Sequence, residues 1–216
     1  MRFLLIQSAL LLAALAARPA LACECLWEGS FAEVAPHADL AVAGTVIAQR
    51  GNAIDLRIER QLLGEVYLDT VRVWGRTDDL CRPDADEFPV GSQWVMALTR
   101  IDNVPEDGFS PSTPNVSFGR PGDYALSNCG AYWLTLDSGQ VSGHLLAGSR
   151  WDYEGEPMNP VLVELIGAYL QGVIPREALE EAARPLTETR KLMNATREFL
   201  RQQEHLPPPP SQPDNP

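Results

Sequence analysis

The chain has 216 residues, with 29 acidic against 17 basic side chains and a formal charge of -12. A field of that sign repels phosphate backbones and anionic lipid surfaces, so charge argues against nucleic acid and acidic membranes as partners. Hydrophobic residues make up 45% of the chain, enough for a sizeable core, and the length fits one domain with an appendage or two small domains.

Residues 1–22 read as an export leader. Arg2 supplies the positive start, "FLLIQSALLLAALAA" the apolar run, and Ala20-Leu21-Ala22 a small-x-small cleavage site. The run is too short and wrongly flanked for a membrane span, and no later segment approaches about 18 consecutive apolar residues, so no stable span is expected. Cleavage after Ala22 predicts a secreted or periplasmic protein whose first residue is Cys23. It also removes Arg2 and Arg18, leaving the mature chain more acidic still.

Cys23, Cys25, Cys81 and Cys129 are the four cysteines. An even number in an oxidising compartment reads as two disulfides. Cys23 and Cys25 are poorly placed to bond each other, because next-but-one positions close a strained ring. Each is therefore expected to reach one of the distant pair, with the connectivity open. Metal ligation by the thiols is the alternative, but C-x-C followed by two isolated cysteines is not a zinc spacing.

Strand patterns fill the front of the chain. "DLAVAGTVIAQ" (39–49) is β-branched and apolar, and "AIDLRIERQLLG" (53–64) alternates Ile54, Leu56 and Ile58 with Asp55, Arg57 and Glu59, the period of a half-buried strand. Residues 70–75, 93–101, 123–127, 131–136 and 140–146 continue the series, with turn signals at Gly51-Asn52, Pro89 to Gly91 and Ser138-Gly139. Trp74, Trp94 and Trp133 fall within these patterns and are predicted to pack in the core. Residues 102–123, rich in proline, glycine and polar side chains, are predicted to form a long exposed loop. Five or more short strands at this spacing favour a mainly β barrel or sandwich.

After about residue 157 the period changes. Val161, Leu165, Ile166 and Tyr169 recur at helical spacing, Pro175 opens "REALEEAAR", and "LTETRKLMNATREFLRQQEHL" follows as an amphipathic helix. Residues 158–205 are thus predicted to be a helical C-terminal segment, and 206–216, "LPPPPSQPDNP", a disordered tail.

Catalysis is not expected. The histidines are His37, His144 and His205 only, and no nucleophile elbow, metalloprotease, phosphate-binding or dinucleotide motif occurs. The acidic pairs Asp78-Asp79 and Glu180-Glu181 read as solvated faces.

The order of features resembles the N-terminal, netrin-like domain of the tissue inhibitors of metalloproteinases. The resemblance rests on a leader, mature "CEC", "ADLAVAGTVIA", "IDLRIERQLLGE", "DLCRP", "FPVGSQWVMALT" and "YALSNCGAYW", and covers roughly residues 23–136. It implies a five-stranded Greek-key barrel of the oligonucleotide/oligosaccharide-binding (OB) type, with flanking helices, over residues 23–150. It also implies disulfides Cys23–Cys81 and Cys25–Cys129, no cofactor of its own, and a zinc metalloprotease as partner.

In such an inhibitor the free amine and the carbonyl oxygen of Cys23 would chelate the target's catalytic zinc through the position usually held by water. Glu24 would enter the protease's specificity pocket, Cys25 and Leu26 would continue the contact, and Asp79 and Leu80 beside Cys81 would form a second ridge. Two other readings of the same residues remain: an exported OB-fold binding or structural module without inhibitory activity, and a lipoprotein anchored through Cys23.

Overall fold

The computed structural model describes residues 25–77, 80–147 and 158–185, together with 191–192, 195–196 and 198–200. The expected leader 1–22, Cys23, Glu24, Asp79 and the tail 206–216 lie outside the described residues.

After an irregular stretch at 25–29 come a one-turn helix α1 (Phe31–Val34) and a 3₁₀ turn (Ala35–His37). The strands follow: β1 (Leu40–Arg50), β2 (Ala53–Leu63), β3 (Thr70–Trp74), β4 (Gln93–Arg100), β5 (Tyr124–Ala125), β6 (Trp133–Asp137), β7 (Gln140–Ser142) and β8 (Val161–Leu162). Helices α2 (Val163–Leu170) and α3 (Arg176–Ala183) close the series.

The sheet runs β1-β2-β3-β5-β4-β6-β7-β8, and β1 also pairs with β4. Strands β1-β2-β3-β5-β4 therefore form a closed five-stranded barrel, antiparallel except for the β3–β5 pair. This is the OB-type arrangement. Strand β1 can serve both neighbours because it is long and bent, with register shifts against β2 after Ala41, Ala43 and Val46. Gly44 sits at the second shift, where an added Cβ would collide with the Arg57 carbonyl oxygen.

The apolar patterns follow from which faces are covered. On β2, Ile54 and Leu56 point into the barrel while Arg57 and Glu59 are exposed, hence the clean alternation. On β1 and β4 both faces are buried. Leu40, Val42, Met96 and Leu98 fill the barrel, and Ala41, Ala43, Val95 and Ala97 lie beneath Phe31, Leu134, Ile166 and Leu179 on its outside. "LAVA" and "VMAL" are continuous apolar runs for that reason. Trp74 is fully buried with Ala53 and Ile101, while Trp94 and Trp133 pack edge-on against Phe88.

Three predictions need correction. Val161 and Leu162 are not the first helical turn: they form β8 on β7, and the helix begins at Val163. Strands β5 and β7 are shorter than the patterns at 123–127 and 140–146. The 102–123 loop is only partly exposed, because Asn52 reaches across to it. The Asn52 amide donates to the Ser117 carbonyl at 2.9 Å, and the Ser117 N–H donates back to Asn52 Oδ1 at 3.0 Å. The helix predicted from 186 onward is described only in part.

Among the described residues no helix is long and apolar enough to cross a membrane. The segment from 158 packs on the barrel, with Ile166, Leu170, Leu179 and Ala183 in the same core cluster as Ala41, Leu62 and Val95.

Candidate functional site

Three stretches meet at one edge of the barrel: residues 25–30, residues 80–82 and residues 127–131. A disulfide joins Cys25 to Cys129, with their Cα atoms 5.7 Å apart. Either side of it the backbones are paired. The Glu28 N–H donates to the Cys129 carbonyl at 2.8 Å, and the Ala131 N–H donates to the Gly29 carbonyl at 2.9 Å. The Asn128 N–H in turn donates to the Cys81 carbonyl at 3.1 Å. Cys81 is itself in a disulfide, and no described cysteine is free. The sulfurs of Cys25, Cys81 and Cys129 lie within 4.8 Å of one another. A metal would need thiolates, which disulfides do not offer.

The chain enters this edge with side chains facing opposite ways. Leu26 is 90% exposed. Trp27 turns inward, packing against the core edge-on to His144 with ring centroids 6.4 Å apart. Glu28 faces out and its carboxylate accepts from the Tyr132 hydroxyl. Desolvation first, and the Glu28 carboxylate second, raise the Tyr132 pKa above the usual phenol value, so this hydroxyl stays a donor. The stretch then ends in α1. The Glu33 carboxylate accepts from both the Ser30 N–H and the Ser30 hydroxyl, each at 2.7 Å. These bonds, with a smaller contribution from Arg176, hold Glu33 below its ordinary pKa despite some desolvation.

Residues 80–82 are braced from behind. Leu80 is half-buried and its carbonyl accepts from the Arg82 N–H at 2.8 Å. Arg82 is buried, its guanidinium stacked on the Phe118 ring at 4.5 Å and donating to the Phe118 carbonyl. It makes no ion pair with any described residue, and burial pushes it down to about 10, still charged at neutral pH. A cleft of about 450 Å³, lined in part by Thr77, Leu80, Asp107, Thr113 and Phe118, opens beside Leu80.

Of the residues expected to contact a protease, Cys25, Leu26 and Leu80 are thus placed, with Cys25 and Cys81 at one edge. Cys23, Glu24 and Asp79 fall outside the described residues. Sequence reasoning missed Trp27, Glu28, Asn128, Tyr132 and Arg82. Only the α1 start carried a local signal, the S-x-x-E spacing of Ser30 and Glu33. No protein-family model matches the chain, and no curated protein matches it.

Proposed function

We propose that this is a secreted inhibitor of zinc metalloproteases that works through the N-terminal Cys23 left by removal of residues 1–22. The observation that carries the reading is the anchoring of the segment next to that terminus. The Cys25–Cys129 disulfide and the Glu28–Cys129 backbone bond hold it on the barrel edge beside Cys81, with Leu26 presented to solvent.

A rigid terminus is what chelation requires, since ordering it beforehand lowers the cost of binding. The Cys23 amine, with an ordinary pKa of about 7.7–8.0, has a neutral fraction at pH 7 that zinc would enlarge. In this reading Cys23 bonds Cys81, and its sulfur is a tether while its backbone is the ligand. Glu24 then selects the target: a carboxylate is costly to bury in an apolar pocket, so proteases whose specificity pocket is polar or basic are favoured.

The experiment is an intact mass and peptide map of the exported protein, followed by inhibition assays on a panel of zinc proteases. A free Cys23 amine and a Cys23–Cys81 bridge are expected, and one alanine added before Cys23 should abolish inhibition without changing the unfolding midpoint. An uncut leader, a lipid mass on Cys23, or full inhibition by the extended variant overturns the proposal.

A second reading, an exported OB-type binding module, is favoured by a pocket of about 300 Å³ lined in part by Asp55 and Arg72 of β2 and β3, with Arg120 and Asp123. That is the strand face through which OB barrels bind ligands. Ligand binding lost on Arg120→Ala, with no protease inhibited by the parent, would decide for it.

A further inference from the structure

Strand β3 is paired along its whole length on one side only. Its register with β2 runs from Thr70 to Trp74, but β5 has two residues and meets it at Val73 and Trp74 alone. The chain just before β5 is turned away. There the Gly122 N–H donates to the Ile101 carbonyl at 2.8 Å, and the Asp123 N–H to the Arg120 carbonyl at 3.1 Å. No described strand therefore lies opposite Thr70–Arg72 on that side. The ladder with β2 fixes which groups are left over. The Ile58 N–H bonds the Asp69 carbonyl and antiparallel pairs alternate, so Val71 and Val73 turn their backbone groups to β2 while Thr70 and Arg72 turn theirs outward. The N–H and carbonyl of Thr70 and the N–H of Arg72 thus form a short open strand edge.

The pocket of about 300 Å³ beside Asp55 lies at this gap. Thr70, Val71 and Arg72 line it from β3, and Arg120 and Asp123 from the turn before β5. Leu68, just ahead of β3, adds an apolar side chain that is 67% exposed. Both carboxylates that line the pocket are engaged. Asp55 accepts from Arg72 at 2.8 and 3.1 Å and from Arg50 at 3.2 Å, and Asp123 accepts from the Trp74 indole N–H at 2.8 Å. Arg120 is exposed and makes no ion pair with any described residue. In a chain of formal charge -12, an uncommitted cation therefore stands beside unpaired main-chain groups.

The geometry points to an extended segment of a partner protein as the occupant of this gap: it adds alongside Thr70–Arg72 as a short strand, and an aspartate or glutamate on it pairs with Arg120. Main-chain bonds supply the affinity, while the acidic residue and the Leu68 contact set the register. A small carboxylate would satisfy Arg120 and leave the strand edge unpaired, which is why a peptide is the better fit. The inference rests on the binding-module reading, whose ligand it names, and makes no use of the Cys23 edge.

Displayed random peptides of about seven residues, selected on the full mature chain and counter-selected on Arg120→Glu, test this. The expected winners carry an Asp or Glu among β-branched residues. As synthetic peptides they should slow hydrogen exchange at the Thr70 and Arg72 amides. Their affinity should fall by about 10-fold or more on Arg120→Ala, and as far when alternate peptide nitrogens are methylated in one register but not in the other. The methylation scan alters the peptide alone, so it decides even if an Arg120 variant unfolds. Winners that ignore methylation in both registers and leave those two amides unprotected overturn the strand pairing, while the binding-module reading stands. No winner above the Arg120→Glu background overturns the proposal as well. A glycan array probed in parallel then separates the two readings, because glycan binding lost on Arg120→Ala would keep the module reading without the peptide.

Discussion

Cys25 and Cys129, 104 positions apart in sequence, are joined by a disulfide, and the Cys129 carbonyl also accepts from Glu28 three residues further along. The covalent bond and the backbone pairing fix the same few residues to the same edge. Together they tie residues 25–29 to the barrel.

Removing that bond is expected to cost stability first. Loops of this length fall at the upper end of the chain-entropy range, so Cys25→Ser with Cys129→Ser should lower the unfolding free energy by about 2–5 kcal/mol. Urea unfolding checks this. A loss under about 1 kcal/mol would mean that the Glu28 and Ala131 backbone bonds hold the segment on their own.

Arg82 allows two effects to be separated. Its buried charge lacks an ionic partner among the described residues, while its stem and face pack on Phe118. Arg82→Met keeps most of the packing and removes the desolvated charge, so the stability change should stay within about 1 kcal/mol. Both variants leave the Phe118 carbonyl without the guanidinium donor, but Arg82→Ala also loses the packing on the Phe118 ring, a further cost of about 1–3 kcal/mol. Equal losses in the two variants would show that the guanidinium bond, not the packing, holds the 102–123 loop against Cys81.

Gly44 should not tolerate a side chain. Its Cβ would meet the Arg57 backbone oxygen, which cannot move without opening the β1–β2 ladder. Gly44→Ala is therefore expected to destabilise by at least about 1–3 kcal/mol, read from the thermal midpoint. An unchanged midpoint would mean that the bend in β1 relaxes freely.

How much of this was legible beforehand depends on whether a pattern has a local cause. Strand β2 could be read because one face is wet, so Asp55 and Arg57 punctuate Ile54 and Leu56. Strand β8 could not, since Val161-Leu162 before Val163 fits a helical face equally well and only the partner β7 decides between them. The burial of Ser117 depends on Asn52, 65 positions away, and no local period records that. Cys25 is conspicuous in the sequence through its C-x-C spacing, but the residues around its bridge to Cys129 are not. Glu28 and Asn128 act through backbone amides and Arg82 through a stacked guanidinium, none of which carries a spacing signal.

The Ser30–Glu33 cap makes stability pH-dependent in a predictable direction. Glu33 is held below its ordinary value of 4.5 chiefly by its two bonds from Ser30. A depressed carboxyl contributes stability that is fully present above the unfolded value and is lost as pH falls through the lower folded one. Ser30→Ala should cost about 0.5–2 kcal/mol at pH 7, and the gap from the parent should narrow as pH drops from 7 toward 3. A gap that is the same at both ends would assign the loss to packing of the buried Ser30.

Leu26 and Trp27 are neighbours that should fail in different assays. Leu26 is almost wholly in water, so Leu26→Ser is expected to leave the unfolding free energy within about 0.5 kcal/mol. If the N-terminal edge is the protease-binding surface, that same change removes a side chain whose burial contributes about 1.5–3 kcal/mol. The inhibition constant should then weaken by about 10- to 100-fold. Trp27 packs on the core and on His144, so Trp27→Ala should lower the unfolding midpoint, with any loss of inhibition following from loosening of the edge. Inhibition that survives Leu26→Ser undiminished would place the contact elsewhere, whatever Trp27→Ala does to the fold.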